Sequence, residues 1–167
     1  MEFIGQFHPQ IVHLPIVLLV FAALFDMVGR FVDAAWWRKA SMALLVFAVA
    51  AGVCGILSGE QASEVAEERQ GIAESVVDGH GDLAKIAIWV AGAALAARLV
   101  EIGVTGMRSA VGVVALLLEL AAAVTVGVAA HRGGQLVYRH GAAVRIDGRL
   151  LGHPKADEGA AEPQPPH

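Results

Sequence analysis

The segment FHPQIVHLPIVLLVFAALFDMV, residues 7–28, decides what kind of protein this chain makes. From residue 11 to 28 it carries a single charge, Asp26. A membrane helix needs roughly 20 apolar residues to cross a hydrocarbon core of about 30 Å, and this run is of that order. Strands of a membrane barrel would alternate polar and apolar residues, which these do not. A cleavable signal peptide is also a poor reading. Met1-Glu2 supplies no basic residue ahead of the run, and Asp26 and Arg30 stand where a small-residue cleavage site would lie.

Three further stretches repeat the pattern, at 40–58, 83–100 and 110–130. The whole chain has 167 residues, 56% of them hydrophobic and 17% charged, with a net charge of −4 and a mean hydropathy of +0.61. A soluble domain of this size needs more polar surface. The predicted fold is therefore all-α: an integral membrane bundle of four helices, up-down-up-down, occupying residues 1–152. It ends in a short irregular or hairpin segment, with Asp147-Gly148 as the turn signal and Gly133-Gly134 as a helix breaker. The polar, proline-rich residues 153–167 read as a disordered tail. The single cysteine, Cys54, can form no internal disulfide and reads as a small packing residue inside the second span.

The connections orient the bundle. Arg30, Arg38 and Lys39 cluster in the first turn beside Trp36 and Trp37, an interfacial anchor, and Arg98 and Arg108 flank the third. The second connection, 59–79, is acidic, and Val65, Ile72 and Val76 at helical spacing suggest a helix lying on the membrane surface. Basic residues favour the cytoplasmic side, so both termini are expected outside the cytoplasm, although Arg132, Arg139, Arg145 and Arg149 follow the last span.

On that topology the histidines fall on one face. His8 and His13 open the first span, His80 opens the third, and His131 and His140 follow the fourth. The opposite face has none. Pro15 lacks an amide hydrogen and biases Leu14 away from helical geometry, so the regular helix is expected to start near Pro15, with His13 on the turn leading into it. Imidazole is the commonest metal ligand and the usual axial ligand of b-type haem. His13, His80, His131 and His140 are candidate haem ligands. Gly55, in the row Ala51, Gly55, Gly59, would line a slot for the macrocycle or simply a helix contact. Arg132, Arg139 and Arg145 stand at the level of the propionates. A transition-metal ion would instead draw on His8, His13, His80, His131 and His140 with Glu60 or Asp82.

Charges inside the bilayer are the other departure from a plain anchor. Glu119 lies midway along the fourth span, where a carboxylate is costly. It is twelve residues from His131, roughly 18 Å along a helix, so it is no ligand of the histidine site. It reads either as part of a proton relay or as a buried acid bonded to a neighbouring helix. Asp26, Arg30, Arg98 and Glu101 gather toward the opposite face as structural ion pairs.

Four motifs together carry a family resemblance: FHPQIVHLPIVLLVFAALFD from residue 7, GILSGEQA from 55, HGDLA from 80 and HRGGQLVYRHGAAV from 131. Over residues 3–146 the chain resembles the bacterial membrane family called domain of unknown function 2231. The family usually has Gly where Ala143 stands. The resemblance implies a bacterial inner membrane and, through relatives joined to redox modules, a likeness to small di-haem membrane cytochromes.

The expected function is binding of b-type haem and electron transfer, with quinone or a redox protein as partner. The alternatives are a metal-ion binding or sensing protein, and a structural or assembly subunit without cofactor. The lipid bilayer is the expected environment and a homo-oligomer is compatible with it. No feature points to nucleic acid, and none settles whether the protein is an enzyme. A four-helix unit without an inverted repeat or interrupted helix pair does not read as a transporter.

Overall fold

A computed structural model of the chain describes residues 4–32, 35–103, 108–146 and 149–151. A single 3-10 turn, Gly5–Phe7, leads into helix α1, His8–Phe31. Helices α2, Ala35–Glu64, α3, Glu74–Gly103, and α4, Arg108–His140, follow. All four are long and apolar enough to cross a membrane. A two-stranded hairpin, β1, Arg145–Ile146, against β2, Arg149–Leu150, closes the described chain, with Arg145 opposite Leu150. The all-helical bundle with a C-terminal hairpin is as expected.

The elements are longer than the apolar runs that announced them. At 1.5 Å per residue, α2 and α3 reach about 45 Å and α4 about 50 Å, against about 30 Å of hydrocarbon. The surplus projects on the face where α1 begins. There the acidic connection is not a separate surface helix. It is the end of α2, a wide π-type turn at Val65–Arg69, a four-residue link, and the start of α3. Ala66, Ile72 and Val77 bury themselves against Leu136 of α4, with Val76 and Ala142 beside them. That contact draws the connection onto the bundle and explains the helical spacing of its apolar residues.

Two further expectations are corrected. Helix α1 starts at His8, with Pro9 in its first turn, and runs through Pro15, which is buried. Hydrocarbon offers the backbone no other hydrogen-bond partner, so one missing amide does not outweigh the rest of the helix. His13 is therefore a mid-helix residue. Likewise α4 runs through Gly133-Gly134 and stops only at Gly141, whose φ of +65° lies in the left-handed region. The turn there lets the Ala142 amide reach the Leu136 carbonyl at 3.0 Å.

The core is built from small residues. Helix α1 packs most extensively on α2, and α3 on α4, while α1–α4 and α2–α3 complete the ring. α1 and α3 are thus diagonal. Ala22, Ala48, Ala87, Ala91, Ala94 and Ala122 are fully buried around Leu19 and Leu45. Small side chains let backbones approach, which substitutes for the hydrophobic effect that lipid cannot supply. The larger apolar residues, among them Phe47, Leu57, Trp89 and Val124, face outward, as lipid contact requires. Cys54 is exposed on that outer surface and is not a packing residue. Phe25, Trp36 and Trp37 stack edge-on at the α1–α2 turn, with ring centroids 4.9 and 5.0 Å apart for the two close pairs.

Candidate functional site

At the face where α1 begins, two histidines meet across the bundle diagonal. His8 of α1 and His80 of α3 are both half-buried. Their ring centroids stand 6.3 Å apart in an edge-to-face arrangement. The other two helices hold them. His8 Nδ1 lies 2.9 Å from the Ser58 hydroxyl of α2, and His80 Nδ1 lies 2.9 Å from the Ala129 carbonyl of α4.

Glycines make room for both rings. A methyl group at Gly59 would lie 3.0 Å from His8 Cε1, and one at Gly133 would lie 2.9 Å from His80 Cε1. Each imidazole therefore rests against the bare backbone of a neighbouring helix.

The other candidate residues are arranged differently. His13 is exposed, and its Nδ1 donates to the Pro9 carbonyl of its own helix. His131 is exposed and accepts at Nε2 from the Gln135 amide, 2.8 Å away. His140 is half-buried at the end of α4. Glu60, Asp82 and Arg139 are exposed. Arg132 is exposed and donates to the Gly79 carbonyl at 3.1 Å, tying α4 to the first turns of α3. Gly55 is buried against Val12 of α1. Among the described residues no three of His, Cys, Asp and Glu come together as a metal site would require. The cavity at this face, about 180 Å³, is lined by Ser75, Val76, Gly79, Arg132 and Gln135.

The sequence reading missed Ser58 and Gly133 as companions of the two histidines, and had Gly59 only as part of the row lining a slot or a helix contact. Their signal was present: a Ser-Gly pair near the end of the second span and a glycine two residues beyond His131.

Above this face Gln70 is fully buried and holds the C-terminal segment. Its amide nitrogen donates to the carbonyls of Gly141 and Leu151, and its oxygen accepts from the Ala143 amide at 2.9 Å. Ala143 has a φ of +61°, the left-handed region that glycine occupies more easily.

A second polar group lies toward the other face. Arg98 is ion-paired with Asp26 at 2.7 Å and with Glu101 at 2.8 Å, and Arg30 with Asp26 at 2.7 Å and Glu101 at 3.2 Å. The ion pairs expected there do form. Glu119 joins them from α4: its Oε1 stands 3.6 Å from Arg98 Nε, and neither carboxylate oxygen accepts a hydrogen bond from the described residues. Two guanidiniums thus face three carboxylates on three helices. The fourth helix contributes the Arg38 carbonyl, which accepts from Arg98 at 2.9 Å.

No curated protein and no solved structure matches the chain significantly. The family described as "Predicted membrane protein (DUF2231)" matches residues 6–145, which takes in all four helices and the start of the hairpin. The chain belongs to this DUF2231 family of predicted membrane proteins.

Proposed function

We propose that this integral membrane protein binds a transition-metal ion between His8 and His80 at one mouth of its bundle, as a metal-ion binding or sensing protein. The observation that carries the reading is the pair itself: two imidazoles brought together from diagonal helices, each with Nδ1 engaged. Metal-binding histidines are usually oriented in this way, by a hydrogen bond at the ring nitrogen that does not touch the metal. Imidazole nitrogen suits zinc, copper, iron and nickel. Two protein ligands leave the remaining positions of the ion to water or solute, which favours exchange over permanent storage.

A second reading, b-type haem and electron transfer with quinone or a redox protein as partner, rests on the same pair, because two histidines on different helices are the axial set of such a haem. The bare ion is preferred because both rings pack against the backbone of neighbouring helices, His8 at Gly59 and His80 at Gly133, a closeness that suits a small ion better than a flat macrocycle. We place the protein in the bacterial inner membrane, with the histidine face outside the cytoplasm.

The test is elemental analysis and an absorption spectrum of the full-length protein purified in detergent from cells supplied with zinc, copper, iron and haem. Bound metal without a Soret band supports the ion. A Soret band with sharp bands on reduction supports haem instead. A protein carrying neither is a structural subunit, and the metal reading fails.

A further inference from the structure

We propose that Ser58 is a positioning residue that fixes the tautomer of His8, so that both neutral histidines of the pair carry their proton on Nδ1 and present Nε2 lone pairs. The inference deepens the metal-binding reading and rests on it for its functional meaning.

It follows from counting hydrogens. The Ser58 hydroxyl has one, and the Gly55 carbonyl, 3.0 Å away, can only accept. The geometry has the hydroxyl donating its hydrogen to that carbonyl. Ser58 Oγ can then serve His8 only as an acceptor, so His8 Nδ1 must be the donor across the 2.9 Å contact. On the other side of the mouth the Ala129 carbonyl can also only accept, so His80 Nδ1 donates too. Two unrelated groups on two helices impose the same tautomer on two histidines.

Free histidine prefers the opposite neutral tautomer, with the proton on Nε2. The bundle thus holds both rings in their less common form, and this form leaves Nε2, the nitrogen a metal would take, unprotonated. Ser58 is fully buried, and its residue-long neighbour Gly59 keeps the ring of His8 against α2. A pair meant only to hydrogen-bond at the interface would need no such agreement between its two holders.

The experiment is nitrogen-15 NMR of histidine-labelled, metal-free, full-length protein in detergent at a pH where both imidazoles are neutral. His8→Ala and His80→Ala assign the signals, and zinc(II) titration follows. Both histidines are expected as Nδ1–H tautomers in the wild-type protein. Ser58→Ala should release His8 toward the Nε2–H form, leave His80 unchanged, and weaken zinc binding 10–100-fold, as loss of an orienting partner does. Ser58→Thr, which keeps the hydroxyl, should retain the wild-type pattern.

An Nε2–H signal for His8 in the wild-type protein overturns the proposal, and the wild-type spectrum decides it even where a variant does not fold. An unchanged His8 tautomer in folded Ser58→Ala does the same. The expected tautomers in a protein that binds no zinc, copper or iron would uphold the role of Ser58 and refute the metal reading.

Discussion

Arg98 Nη1 and Asp26 Oδ1 stand 2.7 Å apart between α3 and α1, with side chains 4% and 0% exposed. Desolvating two charges is expensive, and their attraction offsets this only while both are present. Removing one partner leaves an uncompensated charge in a membrane interior. Asp26→Ala and Arg98→Ala are each expected to destabilise the bundle by about 3–5 kcal/mol, read as lost thermal stability in detergent. The double variant should lose clearly less than the two losses combined. Simple additivity would show that the pair does not act as a unit.

The glycines divide into those that touch a neighbour and those that do not. Gly92 and Gly127 have open space where a methyl group would go. Gly92→Ala should therefore leave stability unchanged or raise it by up to about 1 kcal/mol, since alanine is the better helix former. At Gly133 a methyl group would lie 2.9 Å from His80 Cε1 and push that ring from its place. Gly133→Ala should lower both stability and any metal retention. Gly55 faces Val12 at 3.7 Å, an ordinary contact for one methyl group, so Gly55→Ala should be tolerated and Gly55→Leu should impair folding. Equal behaviour of Gly92→Ala and Gly133→Ala in thermal unfolding would contradict this division.

Gln70 is the clasp between the α2–α3 link and the C-terminal segment. Gln70→Ala removes three hydrogen bonds from a fully buried side chain to the C-terminal segment, each worth about 1 kcal/mol net. The expected outcome is faster amide exchange at Ala143 and faster proteolysis after residue 140, with the four helices intact by circular dichroism. Ala143→Gly should act in the opposite sense. It relieves a left-handed alanine, worth roughly 1–2 kcal/mol, and the greater freedom of glycine when unfolded returns part of that gain. A less protected hairpin in Ala143→Gly would refute the assignment of strain at this residue.

Orientation is testable from the α1–α2 turn. On the proposed orientation its basic residues Arg30, Arg38 and Lys39 lie in the cytoplasm, following the bias that sets membrane topology. With Cys54 replaced by Ser, Ala35→Cys should resist membrane-impermeant thiol reagents in intact cells and react after lysis. Labelling from outside would invert the bundle.

The spans were legible because apolar runs have one meaning in lipid. The ion pairs were legible because charges there need partners. What was not legible is set by helix phase and by contacts distant in sequence. His13 follows His8 by five residues, about 140° round a helix, so the two cannot face the same way once α1 begins at His8. The reading that started the helix at Pro15 hid this. The same holds on α4, where the buried row runs through Ala122, Val126, Ala129 and Leu136. His131 stands off that row, and Gly133 lies near it. Local signals put a break at Gly133-Gly134, while contact with His80 requires the glycine within a continuous helix. The shared face of the histidines was thus readable, but which rings point inward depends on registers that composition does not carry.

That distinction between histidines gives the last prediction. His8 and His80 meet edge to face across the bundle, while His13 bonds its own helix and His131 bonds Gln135 on an exposed surface. On the metal reading, His8→Ala and His80→Ala should each abolish metal retention through purification, because a two-histidine site that loses one imidazole keeps a single protein ligand. His13→Ala and His131→Ala should retain wild-type metal content within about twofold, a change of roughly 0.4 kcal/mol. The comparison controls for the charge and bulk of a histidine on this face, since all four lie at the same end of the bundle. Equal loss in all four variants would mean that the exposed histidines turn inward when metal binds, and the His8–His80 pair would not be the site by itself. Loss only in His13→Ala and His131→Ala would move the site to the surface of the mouth.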